Sequence, residues 1–199
     1  NNLMRVWARL VLNFYKDESY LTHTLPVKKS TLYLSKVLCG LITMLTSTLV
    51  IALSLFICYY SKENIELLKN SLNIVATLYE SSITSLLIQV FTLIFLEFTF
   101  VLLTGYIGII LGHKSNNNKM LKSCLYGFLT YMASSVIILL VIYISGLFNS
   151  DIMNIFTSTT FTLSVFKTIL VIAMLTYLVL IVIEYIIGLK TINKGVNID

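Results

Sequence analysis

Four long apolar runs leave this chain essentially one way to fold. Val37 to Tyr60, Ile83 to Leu111, Cys124 to Phe148 and Thr168 to Leu189 carry no charge beyond Glu97 and Glu184. Each exceeds the roughly 20 helical residues that cross a hydrocarbon layer about 30 Å thick. A segment in lipid must satisfy its own backbone polar groups, so it spans as a helix or as part of a closed barrel. These runs lack the alternating in-out pattern of barrel strands. The predicted fold class is therefore an all-α integral membrane protein, a polytopic bundle with four complete transmembrane helices forming a single transmembrane domain. Composition agrees: 57% of the residues are hydrophobic and only 12% charged, against about a quarter charged in soluble domains.

The charges that remain report topology. The net charge of +5 is spread over the segments flanking the apolar runs and forms no single patch, so no nucleic-acid partner is expected. If the four runs alternate, Arg5, Arg9, Lys16, Lys28, Lys29, Lys36, Lys114, Lys119, Lys122, Lys190 and Lys194 fall on one side. Lys62, Lys69 and Lys167 fall on the other. The positive-inside rule then places both ends of the chain and the loop His113 to Lys122 in the cytoplasm. His113 reads as a solvated loop residue. Cys39, Cys58 and Cys124 lie within or at the ends of apolar runs with no metal-type spacing, and read as packing residues.

Between the N-terminal segment and the first run lies the most informative polar stretch, residues 14 to 36. Leu3 to Tyr15 is apolar except for Arg5, Arg9 and Asn13, which with Lys16 recur at helical spacing. It reads as either an interfacial amphipathic helix or the cytoplasmic end of a spanning helix. Trp7 and the two arginines suit the second better. The segment 17 to 30 reads as a short surface helix ended by Pro26, with Ser30 expected to cap the next helix. Residues 61 to 82 repeat apolar positions at helical spacing and predict a short extracellular helix.

Within the spans, Glu97 stands fourteen residues from either end of its run. A carboxylate at that depth costs about 3 kcal/mol on insertion scales, so it must be protonated, paired or beside a wet cavity. Two readings stay open: a neutral Glu bonded to a neighbouring helix, or a substrate, cation or proton site. Thr104, Gly108 and Gly112 lie near the same helix face and permit close helix approach. Ser47 and Ser54, with Gly40 and Thr43, form a second small-residue stripe that reads as helix contact or as part of a substrate path with Glu97 and Thr104. Glu184 reads as an interfacial carboxylate within reach of Lys190. No nucleotide-binding loop, His-Glu-x-x-His helix or Gly-x-Ser-x-Gly elbow occurs, so the chain is not expected to be an enzyme, to hold a metal or to carry a cofactor of its own.

One stretch carries a resemblance. Asp17-Glu18-Ser19-Tyr20-Leu21-Thr22-His23-Thr24-Leu25-Pro26-Val27 resembles the Asp-Glu-Gly-Tyr-Leu-x-x-Thr-Leu-Pro-Val signature of bacterial ABC-2-type transporter permeases. Ser35-Lys36 and the tail Asn193-Lys194-Gly195-Val196-Asn197 are similar in placement. The chain departs from the signature at Ser19, where glycine is usual. The resemblance implies a six-helix permease of which two N-terminal helices are not in this sequence, residing in a bacterial plasma membrane. It implies that Asp17 to Leu25 is a coupling helix seated on a separate ATP-binding subunit, which would bind ATP and Mg, and that a second permease chain completes the transporter. The residues expected at the docking contact are Phe14, Tyr15, Asp17, Glu18, Tyr20 and Leu21. The implied function is export of an amphipathic or hydrophobic solute such as a peptide or drug. The rival readings are an ion-coupled secondary carrier using Glu97 and a non-transporting membrane assembly or immunity protein.

Overall fold

The structure, a computed structural model, describes residues 2–16, 18–24, 26–115, 117–157 and 163–194. Eight helices follow one another: α1 Asn2–Tyr15, α2 Ser19–Thr24, α3 Lys29–Cys58, α4 Lys62–Leu78, α5 Ile83–Gly112, α6 Lys119–Phe148, α7 Ser150–Thr157 and α8 Leu163–Asn193. Among the described residues there is no strand. Four helices, α3, α5, α6 and α8, are long and apolar enough to cross a membrane, and they contain the four apolar runs. At 30 or 31 residues each, they rise about 45 Å, well beyond a hydrocarbon core.

Local chemistry sets the helix ends. Ser61 Oγ accepts the Asn64 N–H at 3.1 Å and opens α4, while Ser82 Oγ accepts the Ser85 N–H at 3.2 Å and opens α5. Each satisfies one of the first-turn amides that a helix leaves unpaired. Asn118, at φ 53°, precedes α6 in the left-handed region that asparagine tolerates better than most residues. The start of α3 differs from expectation. Lys28 occupies the cap position in an extended conformation, without a side-chain cap bond, and Ser30 lies inside the helix. The carbonyl of Lys28 already accepts from Thr31 and Leu32, so the helix begins two residues earlier than expected.

α5 is the spine, touching α1, α3, α4, α6 and α8. Most of its residues from Thr99 to Gly112 are buried, because glycines let its neighbours approach. A Cβ built on Gly108 would lie 2.6 Å from both Cα and N of Gly127 on α6, and one built on Gly105 would collide with the Trp7 indole. Trp7 Nε1 donates to the Leu102 carbonyl at 3.3 Å, which locks α1 to the same helix.

The core is lopsided. Val6, Leu10, Phe14, Tyr15, Tyr33, Val37, Leu102, Leu103, Tyr106, Ile109, Ile110 and Ile192 form one buried cluster, all toward the end of the bundle where Lys16, Lys28, Lys114 and Lys119 lie. At the opposite end every α3 residue from Leu49 onward is exposed. There α4 is tied to the start of α8 by a single local knot. Tyr79 meets Phe166 edge-on at 6.3 Å, Lys167 lies 4.9 Å from the Tyr79 ring centre, and Lys167 pairs with Glu80 at 3.7 Å. All three cysteines are exposed and do not pack inside the bundle.

Candidate functional site

Two places gather the residues that the sequence singles out. The first is the elbow between α1 and α3. Its turn is closed by the Ser19 N–H, which donates to the Lys16 carbonyl at 2.7 Å. Ser19 is fully buried, and its hydroxyl has no hydrogen-bond partner among the described residues. Asn13 Nδ2 donates to the Glu18 carboxylate, and Lys36 Nζ donates to Asn13 Oδ1, tying α1, α2 and α3 together. Phe14 and Tyr15 are 0% and 2% exposed, whereas Tyr20 and Leu21 are 67% and 74% exposed. The first pair thus anchors the elbow inside the bundle and the second pair projects from it. Asp17 and Leu25 lie outside the described residues, as do positions 195–197 of the tail.

Tyr15 finds an unexpected partner. The His113 ring stacks on it at 4.2 Å and 28°, and His113 Nδ1–H donates to the Ile109 carbonyl at 2.9 Å. His113 is buried and not a solvated loop residue. Its ring is covered by α1, a segment about a hundred residues away in the chain, which no local pattern could reveal. Burial pushes the imidazole below its ordinary value, the Ile109 carbonyl opposes this, and Lys119 and Lys16 push it further down. With the folded pKa depressed, the unfolded chain binds more protons in the window just below pH 6.5, so stability is greatest above that value and falls as pH drops through it. The midpoint of thermal unfolding is expected to fall between pH 7.5 and 5.5. Replacing His113 by Gln is expected to flatten that slope; an unchanged slope in the variant would assign it to other groups.

The second place is the seam between α5 and α8. Tyr177 Oη donates to Glu97 Oε2 at 3.0 Å, and Thr104 Oγ1 lies 3.0 and 3.1 Å from the two carboxyl oxygens of Glu184. Both pairs are offset by 80 residues, so the helices run parallel and repeat their contact after one heptad, as in a coiled-coil seam. The Phe100 ring fills the interval, 5.3 Å from Tyr177 and 5.9 Å from Tyr131. Ser134 on α6 reaches Glu184 Oε1 at 3.4 Å. Glu184 is 3% exposed, which corrects its reading as a wet interfacial carboxylate: α8 turns it toward α5 and α6, away from Lys190. The equal seven-residue spacings of Glu97 with Thr104 and of Tyr177 with Glu184 are the signal in the sequence that could have found the seam.

Thr104 Oγ1 also lies 2.9 Å from the Phe100 carbonyl. A hydroxyl has one proton. If Thr104 gives it to Phe100, the Glu184 carboxyl must supply the proton of the next bond; if Thr104 gives it to Glu184, a carboxylate accepts it. The arrangement accommodates either form by rotating one O–H bond. Replacing Thr104 by Val keeps the shape and removes the partner, and is expected to cost about 1–3 kcal/mol. Adding Glu184→Leu to that variant is expected to recover part of the loss. Chemical denaturation of the unaltered protein, the two single variants and the double variant in one detergent checks this, and strict additivity of the two changes would deny the coupling.

The remaining path candidates do not converge on this seam. Ser47 accepts from the Asn2 amide of α1, and Ser54 is exposed, its hydroxyl spent on the Val50 carbonyl. Among the described residues no group of three or more His, Cys, Asp or Glu could hold a metal ion.

Helix count, apolar length and the buried carboxyl seam define an all-α protein of the membrane-embedded class. Neither family models nor curated proteins nor solved structures yield a match to this chain.

Proposed function

We propose that this chain is the permease subunit of an ABC-2-type exporter in a bacterial plasma membrane, moving an amphipathic or hydrophobic solute with energy from a separate ATP-binding subunit. The observation that carries this reading is α2. It is a six-residue helix rooted by buried Ser19, Phe14 and Tyr15, with Tyr20 and Leu21 facing outward at the basic end of the bundle. Exposed aromatic and aliphatic side chains on a rigid base are what a partner's groove takes hold of. The resemblance of residues 17 to 27 to the permease signature names the partner, and the positive-inside rule puts this end and both chain ends in the cytoplasm. A second permease chain would complete the pathway, and nucleotide-driven closure of the ATPase pair would bias the bundle between two states.

The test is co-purification of the ATP-binding subunit with the intact chain and with Tyr20→Ala/Leu21→Glu. Loss in the variant supports the reading, and undiminished recovery overturns it. One observation favours an ion-coupled carrier as the second reading: the Glu97 and Glu184 carboxyls in one seam. Transport abolished by Glu184→Gln and driven by a pH gradient without ATP would replace the first reading with this one.

A further inference from the structure

α1 and α3 pack antiparallel, since Asn13 bonds Lys36 at one end and Asn2 bonds Ser47 at the other. Between them lies a cleft of about 220 Å³ lined by Arg5, Arg9, Asn13 and Lys36, with Tyr106 at its back. Arg5 and Arg9 are one turn apart on the same face of α1. Among the described residues no carboxylate lines the cleft, and Glu18, at the elbow, is already engaged by Asn13. Tyr106 Oη donates to the Lys36 carbonyl at 3.1 Å, which fixes the back wall. Three cations thus face one space without a matching anion from the lining.

Position decides what that anion is. By the register those two bonds set, Arg9 stands level with Gly40 and Arg5 with Met44, about 6 and 12 Å further along α3 than Lys36 by helical rise. The cleft therefore begins where the apolar run of α3 begins and continues into it. Between the cations its lining is apolar, with Val6 and Leu10 on α1 and Cys39 and Gly40 on α3. Guanidinium forks grip phosphate oxygens in two-point fashion, and at the level of the apolar run the phosphate on offer is a lipid headgroup.

We infer that the cleft between α1 and α3 is a binding site for the phosphate headgroup of an anionic phospholipid, gripped by Arg5, Arg9 and Lys36. The inference does not depend on the exporter reading, because Arg5 and Arg9, on which it chiefly rests, play no part in the elbow contact or the carboxyl seam.

Native mass spectrometry of the full chain, titrated with phosphatidylglycerol or phosphatidylcholine, tests it. One phosphatidylglycerol per chain is expected to bind about tenfold or more tightly than phosphatidylcholine, and Arg5→Gln/Arg9→Gln is expected to erase that preference. Lys62→Gln/Lys69→Gln, the same charge change at the opposite end, is expected to leave it intact. Equal binding of the two lipids by the unaltered chain, or equal loss in both variants, overturns the site. Displacement of the lipid by inorganic phosphate at physiological concentration also overturns it, since a free anion would then be the ligand. Should the arginine variant fail to fold, the lipid preference of the unaltered chain decides the matter alone.

Discussion

Replacing Gly108 by alanine is expected to destabilise the bundle by about 2 kcal/mol or more, whereas the same change at Gly127 is expected to be tolerated. Both glycines face the crossing of α5 and α6, the most extensive helix contact in the protein. A methyl group at 108 would meet the backbone of Gly127 at 2.6 Å and the Ser123 carbonyl at 2.7 Å. Neither can rotate away, so the helices must separate, as overpacked interiors do at a cost of about 1–3 kcal/mol. A methyl group at 127 meets only the Gly108 Cα, at 3.8 Å, which is ordinary contact, and alanine is the better helix former by about 1 kcal/mol. Unfolding midpoints of the two variants in one detergent check the asymmetry. Equal losses would mean that the crossing is looser than the structure places it.

The double change Tyr20→Ala/Leu21→Glu is expected to weaken association with the proposed ATP-binding subunit about a hundredfold while leaving the fold untouched. The two side chains are among the most exposed large apolar groups of the basic end, and truncating a contact of this type costs about 2 kcal/mol or more. Because they touch nothing inside the bundle, the thermal midpoint should stay within experimental scatter. Phe14→Ala is the converse control: it empties a fully buried site and is expected to lower stability by about 3–5 kcal/mol. A variant pair that changed stability at Tyr20 and Leu21, or left association intact, would remove the elbow from the contact.

Much of this architecture is legible in the sequence because lipid imposes so few solutions. Four uncharged runs of sufficient length become four helices, and Pro26 with its polar neighbours marks the elbow. Facing is harder to read. α5 and α8 are apolar all the way round, so periodicity does not say which side of each meets the other, and the pairing of Glu184 with Thr104 stays hidden. Six residues of rise between Glu184 and Lys190 suggest water within reach, but rotation about the helix axis puts the carboxyl on the inner side. His113 sits in a loop by every local criterion and is buried only because α1 lies across it. Ser30 has the chemistry of a cap, yet Lys28, extended after the bend at Pro26 and Val27, takes the position first.

The lopsided core has a mechanical consequence. Phe14 and Tyr15, the roots of the elbow, belong to the same packed cluster as Tyr33 on α3 and Tyr106 on α5. At the other end, the last ten residues of α3, Leu49 to Cys58, are all exposed. Leverage applied at α2 therefore swings a stiff wedge, and the displacement grows along the free arm of α3, much as the jaws of tweezers travel furthest from their joint.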